Sequence, residues 1–294
     1  MNRVHQMINS KAVSRLKLTG KGIGVAVLDS GIVRHPDFDS RLYPQRDFVW
    51  GKRGWYDDYS HGTHVAGIIG GSGKMSYGRF CGMAPGCKIL PLKVLDRKGN
   101  GCVDIMLEAL DWLQAHCEEY GIRLVNISVG GSPGEDEKEE SELVRGVERL
   151  WSCGLTVVAA AGNEGPQEGT ITTPGISRKV ITVGCCDDHL RRGKNILTDY
   201  SGRGPTKNCI MKPEIVAPGQ MVKSCSNRGN GYTIKSGTSM SAAVVTGALA
   251  LLMEKEPELT NREIKLRLYR RAADLGWSSR RQGWGMLDVG RLLL

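Results

Sequence analysis

Six short runs of almost unbroken apolar residues limit what this chain can fold into: Gly22 to Leu28, Ile89 to Leu95, Leu124 to Val129, Leu155 to Ala161, Lys179 to Cys185 and Glu214 to Ala217. Runs that lack the alternation of a half-buried strand suit strands covered on both faces, as in a parallel sheet. Helical patterns lie between them. From Val103 to Cys117, Met106, Ala109, Leu110, Leu113 and Cys117 form one apolar stripe, and Leu143, Val144, Val147, Leu150 and Trp151 form another that Gly154 stops. Strand and helix alternate in the α/β manner. Met240 to Met253 is apolar almost all round, which predicts a helix buried in the middle of the molecule with Ser239 at its start. The expectation is one α/β domain over residues 1–294, with a mainly parallel central sheet and helices on both faces. Residues 1–20 would form an N-terminal arm, and 255–294 a helical segment packed on the same domain.

Composition narrows the class further. With 40% hydrophobic and 24% charged residues, the chain can bury a large core and is not disordered. The nine cysteines are odd in number and lack paired metal-ligand spacing, so free, buried thiols in a reducing compartment are expected. No secretory signal opens the sequence, and the longest apolar run, Val244 to Met253, is too short to span a bilayer. A cytoplasmic location without membrane attachment follows. The net charge of +9 is partly concentrated in Arg262, Lys265, Arg267, Arg270, Arg271, Arg280 and Arg281. Without a reader motif or interleaved aromatics this reads as solvated surface, and no nucleic-acid partner is expected.

Three polar residues stand where chemistry is easy to build. Asp29 ends the first apolar run, His61 opens the segment His61-Gly62-Thr63-His64-Val65-Ala66-Gly67, and Ser239 precedes the buried helix. A serine hydroxyl needs a histidine to take its proton, and the histidine needs a carboxylate to hold its tautomer. Helix starts also stabilise oxyanions. Each residue has a plainer reading. Asp29 and Ser239 are ordinary capping residues, His64 packs as a structural histidine, and Asn163 before Glu164-Gly165 is a common turn residue. His61 and His64 with Asp29 or Asp58 form a weaker metal alternative, since helical zinc sites use a different spacing. The acidic run Glu135 to Glu142 reads as a solvated helix start, or as a rim that favours basic substrates.

Joint occurrence decides among these. Ala26-Val27-Leu28-Asp29-Ser30-Gly31, the run from His61 to Gly67, and Ser236-Gly237-Thr238-Ser239-Met240 resemble the aspartate, histidine and serine motifs of subtilisin-like serine endopeptidases. Asn126-Ile127-Ser128-Val129-Gly130-Gly131, Ala160-Ala161-Gly162-Asn163-Glu164-Gly165 and Lys212-Pro213-Glu214-Ile215-Val216-Ala217-Pro218-Gly219 fit as well, so the resemblance covers about residues 20–255. It implies a triad of Asp29, His61 and Ser239, acting on peptide or protein substrates through an acyl-enzyme. Asn163 and the Ser239 N–H would receive the oxyanion; losing one such donor costs about 2.7–4 kcal/mol, a magnitude known from subtilisin itself. Gly99, Asn100 and Gly101 would face Ser128, Val129 and Gly130 to clamp an extended peptide, with Cys102 and Val103 lining a further apolar pocket. Ala160, Gly162 and Thr172 would wall the primary specificity pocket, with Glu164 at its rim. A catalytically silent peptide-binding module of the same family is the alternative.

The chain departs from the family in three places. Ala243 stands where members carry a proline that stiffens the start of the helix. Asp37 matches a position that ligates calcium in secreted relatives, and Gln6 could join it, but the loop Gly71 to Phe80 lacks the asparagine-rich pattern and too few oxygens are seen, so no cofactor is required and calcium is a doubtful addition. Only 28 residues precede Asp29, and the opening Met1 favours folding without a large prodomain.

Overall fold

A computed structural model describes residues 1–131, 141–188 and 199–294. Seven strands form one parallel sheet: β1 (Gly24–Asp29), β2 (Arg46–Asp47), β3 (Lys88–Lys93), β4 (Ile122–Ile127), β5 (Thr156–Ala160), β6 (Ile181–Cys185) and β7 (Ile215–Ala217). Their order is β2-β3-β1-β4-β5-β6-β7. β1 and β5 are buried at every residue, which is why those segments read as continuous apolar runs. The sequence passes over the two-residue edge strand β2 and the antiparallel pair β8 (Val222–Cys225) and β9 (Tyr232–Lys235). These carry too few apolar residues to announce themselves, and no residue of β9 is buried.

Helices α1 (Asn2–Met7), α2 (His61–Gly70), α3 (Val103–His116), α4 (Glu142–Ser152), α5 (Thr238–Lys255), α6 (Asn261–Arg271), α7 (Ser279–Gln282) and α8 (Val289–Leu293) complete the order. Ser141 caps α4 by accepting from Val144 N, and residues 135–140 of the acidic run lie outside the described residues. A capping box of Thr260 and Glu263 starts α6. One hydrophobic cluster runs from Met1 and Val4 through the sheet to Leu292 and Leu293.

The switch in strand order locates the cleft. β1 lies between β3 and β4, so the chain leaves β3 and crosses to the other side of β1, opening a crevice at the carboxyl ends of β1 and β4. α5 runs beside β4, β5 and β6 with Thr238 to Met253 all buried. Its few polar groups are satisfied inside the core: Ser241 Oγ donates to Ala217 O (2.8 Å), and Thr246 Oγ1 donates to Asn126 Oδ1 (2.9 Å). Asn126 Nδ2 in turn donates to Ser128 Oγ (2.7 Å), which reaches the Ser239 carbonyl (3.3 Å). This buried relay joins the middle of α5 to its own start.

Two expectations are corrected. All nine cysteines are free, but only Cys87, Cys185, Cys186 and Cys225 are buried, while Cys102, Cys153 and Cys209 are exposed. The exposed ones sit at chain reversals: Cys102 and Cys153 cap α3 and α4, and Cys209 has a positive φ in a loop. Ala243 lies in the second turn of α5, which begins at Thr238. Its N–H therefore belongs to the i→i−4 ladder that ends on the Ser239 carbonyl, and a proline there would leave that carbonyl with Ser128 Oγ as its donor.

Thr246→Val would leave Asn126 Oδ1 buried without its donor. Denaturant unfolding should show a stability loss of about 1–3 kcal/mol; an unchanged midpoint and slope would remove the relay from the account.

Candidate active site

Asp29 is the last residue of β1 and is 1% exposed. Its Oδ1 accepts from Ser30 N (2.7 Å), and its two oxygens lie 2.8 and 2.9 Å from His61 Nδ1. A carboxylate only accepts, so Nδ1 carries the proton and Nε2 keeps the lone pair that a general base needs. His61 is the first residue of α2. Gly62 follows it because the helix starts against β1: a Cβ there would fall 2.2 Å from Gly31 O and 3.1 Å from Asp29 Cβ.

Asp57 fixes this start and went unnoticed in the sequence. Buried, it accepts from Ser30 Oγ (2.8 Å) and Ser60 N (2.7 Å) on Oδ1, and from Thr63 N (2.9 Å) and Thr63 Oγ1 (2.7 Å) on Oδ2. Ser60 holds the cap position of α2, and Asp57, three residues further back, takes up the helix's Thr63 amide in its place, a role that sequence spacing does not signal. Next to it, Lys93 is fully buried, with Nζ donating to Asp58 Oδ1 (2.7 Å), Ser30 O (2.8 Å) and Leu95 O (2.7 Å). Asp58 is thus held in an ion pair. His64 is buried, bonds to Val222 O (3.0 Å), and has its pKa lowered to about 3, chiefly by burial and also by nearby His61. It stays neutral and structural, and the metal reading of His61, His64 and Asp58 has no geometry behind it.

Ser239, the second residue of α5, donates its hydroxyl to Ser128 O (2.8 Å). It lines the same cavity as His61, with Tyr59, Leu95, Gly99, Ser128, Val129, Gly130, Ala160, Gly162, Asn163, Glu164 and Thr172 also in the wall. The cavity is about 200 Å³, and larger clefts of about 700 and 620 Å³ lie away from these groups, beside Arg123 and Trp151 and beside Arg46 and Trp55. Asn163 is exposed and its Oδ1 accepts from Thr238 N (3.0 Å), so the amide is turned with Nδ2 free of any partner among the described residues. Thr172 is buried in this wall. Its side chain occupies the space that a Cβ on Gly162 (2.4 Å from Cγ2) or on Gly130 (2.5 Å from Oγ1) would need. Gly99, Asn100 and Gly101 line an adjoining cavity of about 290 Å³ with Val129, Gly130, Cys102, Val103 and Met106. The Tyr59 ring, another residue the sequence did not single out, closes over Gly99 and stands 6.4 Å from the His61 ring.

The Asp37 carboxylate accepts from Met75 N (2.9 Å), Gly73 N (3.1 Å) and Tyr232 OH (2.7 Å), while Gln6 is exposed on α1. The loop from Gly71 presents amide hydrogens to Asp37, and hard cations need oxygens there.

A serine at a buried helix start, in one cavity with a histidine clamped by a buried carboxylate, is the equipment of a serine hydrolase. The chain belongs to the subtilase family of serine endopeptidases, whose family model matches residues 20–285. That is further toward the C-terminus than the motifs alone reach, and there Trp284 N and Leu287 N bond back to Glu214 O and Val216 O beside β7. Serine protease AprX of Bacillus subtilis is 39% identical over 84% of the chain, which spans 60% of the length of AprX. Subtilisin Savinase of Lederbergia lenta is 34% identical over 96% of the chain and 94% of its own length. The structure of Sphericase superimposes with a TM-score of 0.80 at 30% identity, covering 92% of this chain and 93% of that one. No triad member is missing, and a silent module is not favoured.

Burial pulls the His61 pKa down, but the charge and hydrogen bond of Asp29 outweigh it and raise the pKa above its ordinary value, with Asp57 adding and Lys235 opposing. A base works only when neutral, so activity falls as pH drops through this raised pKa. The acid limb of kcat/KM should lie above about pH 6.5. Asp29→Asn should move that limb down and cut kcat by roughly 10⁴-fold; a wild-type limb at or below 6.5 contradicts the reading.

Proposed function

We propose that Ser239 attacks the peptide carbonyl, that His61 Nε2 takes its proton and returns it to the leaving amine, and that Asp29 holds His61 throughout. The observation that carries this is the double approach of Asp29 to His61 Nδ1, at 2.8 and 2.9 Å, in a cavity that Ser239 also lines. For attack the Ser239 hydroxyl leaves Ser128 O and turns to His61. The N–H of Ser239 and Asn163 Nδ2 then receive the oxyanion at the positive end of α5. The acyl-enzyme is released by water, and the enzyme acts on peptides and proteins without a cofactor.

Substrate selection follows from the walls. An extended peptide lies between the segments Gly99-Asn100-Gly101 and Ser128-Val129-Gly130, bound by main-chain hydrogen bonds that tolerate many sequences. Thr172 fills the base of the pocket walled by Ala160 and Gly162, so the side chain before the cut bond is small. We read the enzyme as cytoplasmic, on the support of nine free cysteines; among the described residues no helix is long and apolar enough to cross a membrane. Thiol titration of freshly quenched protein checks that reading, and a disulfide would oppose it.

A serine-directed fluorophosphonate should label Ser239, lose its target in Ser239→Ala, react slowly with His61→Ala, and be unaffected by calcium chelation. Folded protein that fails to label at neutral pH contradicts the mechanism. In peptide-library cleavage, Thr172→Gly should shift preference toward large side chains before the cut bond by about ten- to two-hundredfold; an unchanged profile would move the specificity pocket elsewhere.

A further inference from the structure

Away from the peptide cleft, the connection after β1 meets the end of β8 in a buried cluster. His35 and Asp37 come from the first and Cys225 from the second, and one ligand atom of each lies within 4.8 Å of the other two. The tautomer of His35 is already chosen: Nε2–H donates to Gly231 O (3.0 Å), so Nδ1 bears the lone pair, 3.9 Å from Asp37 Oδ1. A carbonyl on the far nitrogen is the usual support of a metal-binding histidine. The Asp37 carboxylate is steadied by the amides of Gly73 and Met75 and by Tyr232 OH, and Cys225 Sγ stands 3.6 Å from its Oδ2. Supports of this kind orient a ligating carboxylate.

The donor set decides which cation fits. Calcium asks for six to eight oxygens, and only the Asp37 carboxylate is offered among these three residues. One imidazole nitrogen, one thiolate and one carboxylate suit a borderline-soft ion. We propose that His35 Nδ1, Asp37 and Cys225 Sγ bind one thiophilic divalent cation of the zinc class. Binding exchanges the Cys225 thiol proton, released to solvent, for a metal–sulfur bond. Bonds of about 2.0 Å to nitrogen and oxygen and 2.3 Å to sulfur put tetrahedral ligand atoms about 3.5 Å apart. His35 Nδ1 and Asp37 Oδ1 at 3.9 Å, and Cys225 Sγ and Asp37 Oδ2 at 3.6 Å, already stand close to that spacing, so the cluster contracts only slightly along these pairs, and the Asp37 N–H gives up its 3.1 Å bond to His35 Nδ1. The contraction is local and would brace α2. Cys225 Sγ stands where a Cβ on Gly67 would approach to 2.8 Å, on the helix whose first residue is His61.

The test is titration of chelator-stripped protein with Co²⁺, read by absorption. One equivalent should bind with a thiolate-to-cobalt charge-transfer band and tetrahedral visible bands, be displaced by Zn²⁺, and resist excess calcium. Cys225→Ser should abolish the charge-transfer band, and His35→Gln should weaken binding at least about tenfold. The combined Cys102→Ser, Cys153→Ser and Cys209→Ser variant, which removes the exposed thiols, should keep the band. X-ray absorption on zinc-loaded wild type needs no variant and should give a shell containing one sulfur. Absence of the band in wild type, its survival in folded Cys225→Ser, its loss with the exposed thiols, or a sulfur-free shell would overturn the site. None of these readouts involves labelling of Ser239, so this proposal and the hydrolytic one fail separately.

Discussion

The carboxylate of Asp29 holding the imidazole of His61 is the contact on which the rest of the structure turns. Both oxygens reach one nitrogen, and the carboxylate is 1% exposed, so water does not compete for it. A charge so buried is costly unless it is paired and hydrogen-bonded. Around this pair the molecule supplies the missing partners: the Ser30 amide on Asp29, and Asp57 with its cluster of donors beneath the start of α2. The same pairing sets the tautomer and raises the pKa of the base, so structural satisfaction and chemical readiness come from one interaction.

The serine side is built differently. The position of Ser239 comes from a helix buried on all sides and tied by Thr246, Asn126 and Ser128 to the end of β4. Two elements thus converge from opposite directions, α2 bringing the base from the connection after β1 and α5 bringing the nucleophile. The crossing of strands at β1 and β4 creates the crevice in which they meet. Its walls include Gly99, Gly130, Ala160 and Gly162, and the side chains of Tyr59 and Thr172 pack against these glycines.

Most of the sheet was legible because a strand buried on both faces writes itself as an apolar run, as β1 and β5 do along their whole length and β4 does around Arg123 and Asn126. α5 was legible for the same reason in helical form. The triad was legible through its motifs. Asp57, Lys93 and Tyr59 were not, since each draws its meaning from partners distant in sequence, such as Ser30 for Asp57 and Gly99 for Tyr59. The same holds for β8 and β9, whose bonds to α2 through His64 appear only once the chain is folded. Cysteine burial was misread at Cys102, Cys153 and Cys209, where a cap or turn outweighed the apolar character of the residue.

The most direct measurement is nitrogen-15 NMR of the His61 ring at alkaline pH, above its raised pKa, where the imidazole is uncharged. The account requires the proton on Nδ1, bonded to Asp29, with Nε2 bare and ready to accept. A neutral ring that carries its proton on Nε2 would break the link between the buried carboxylate and the base, and the mechanism with it.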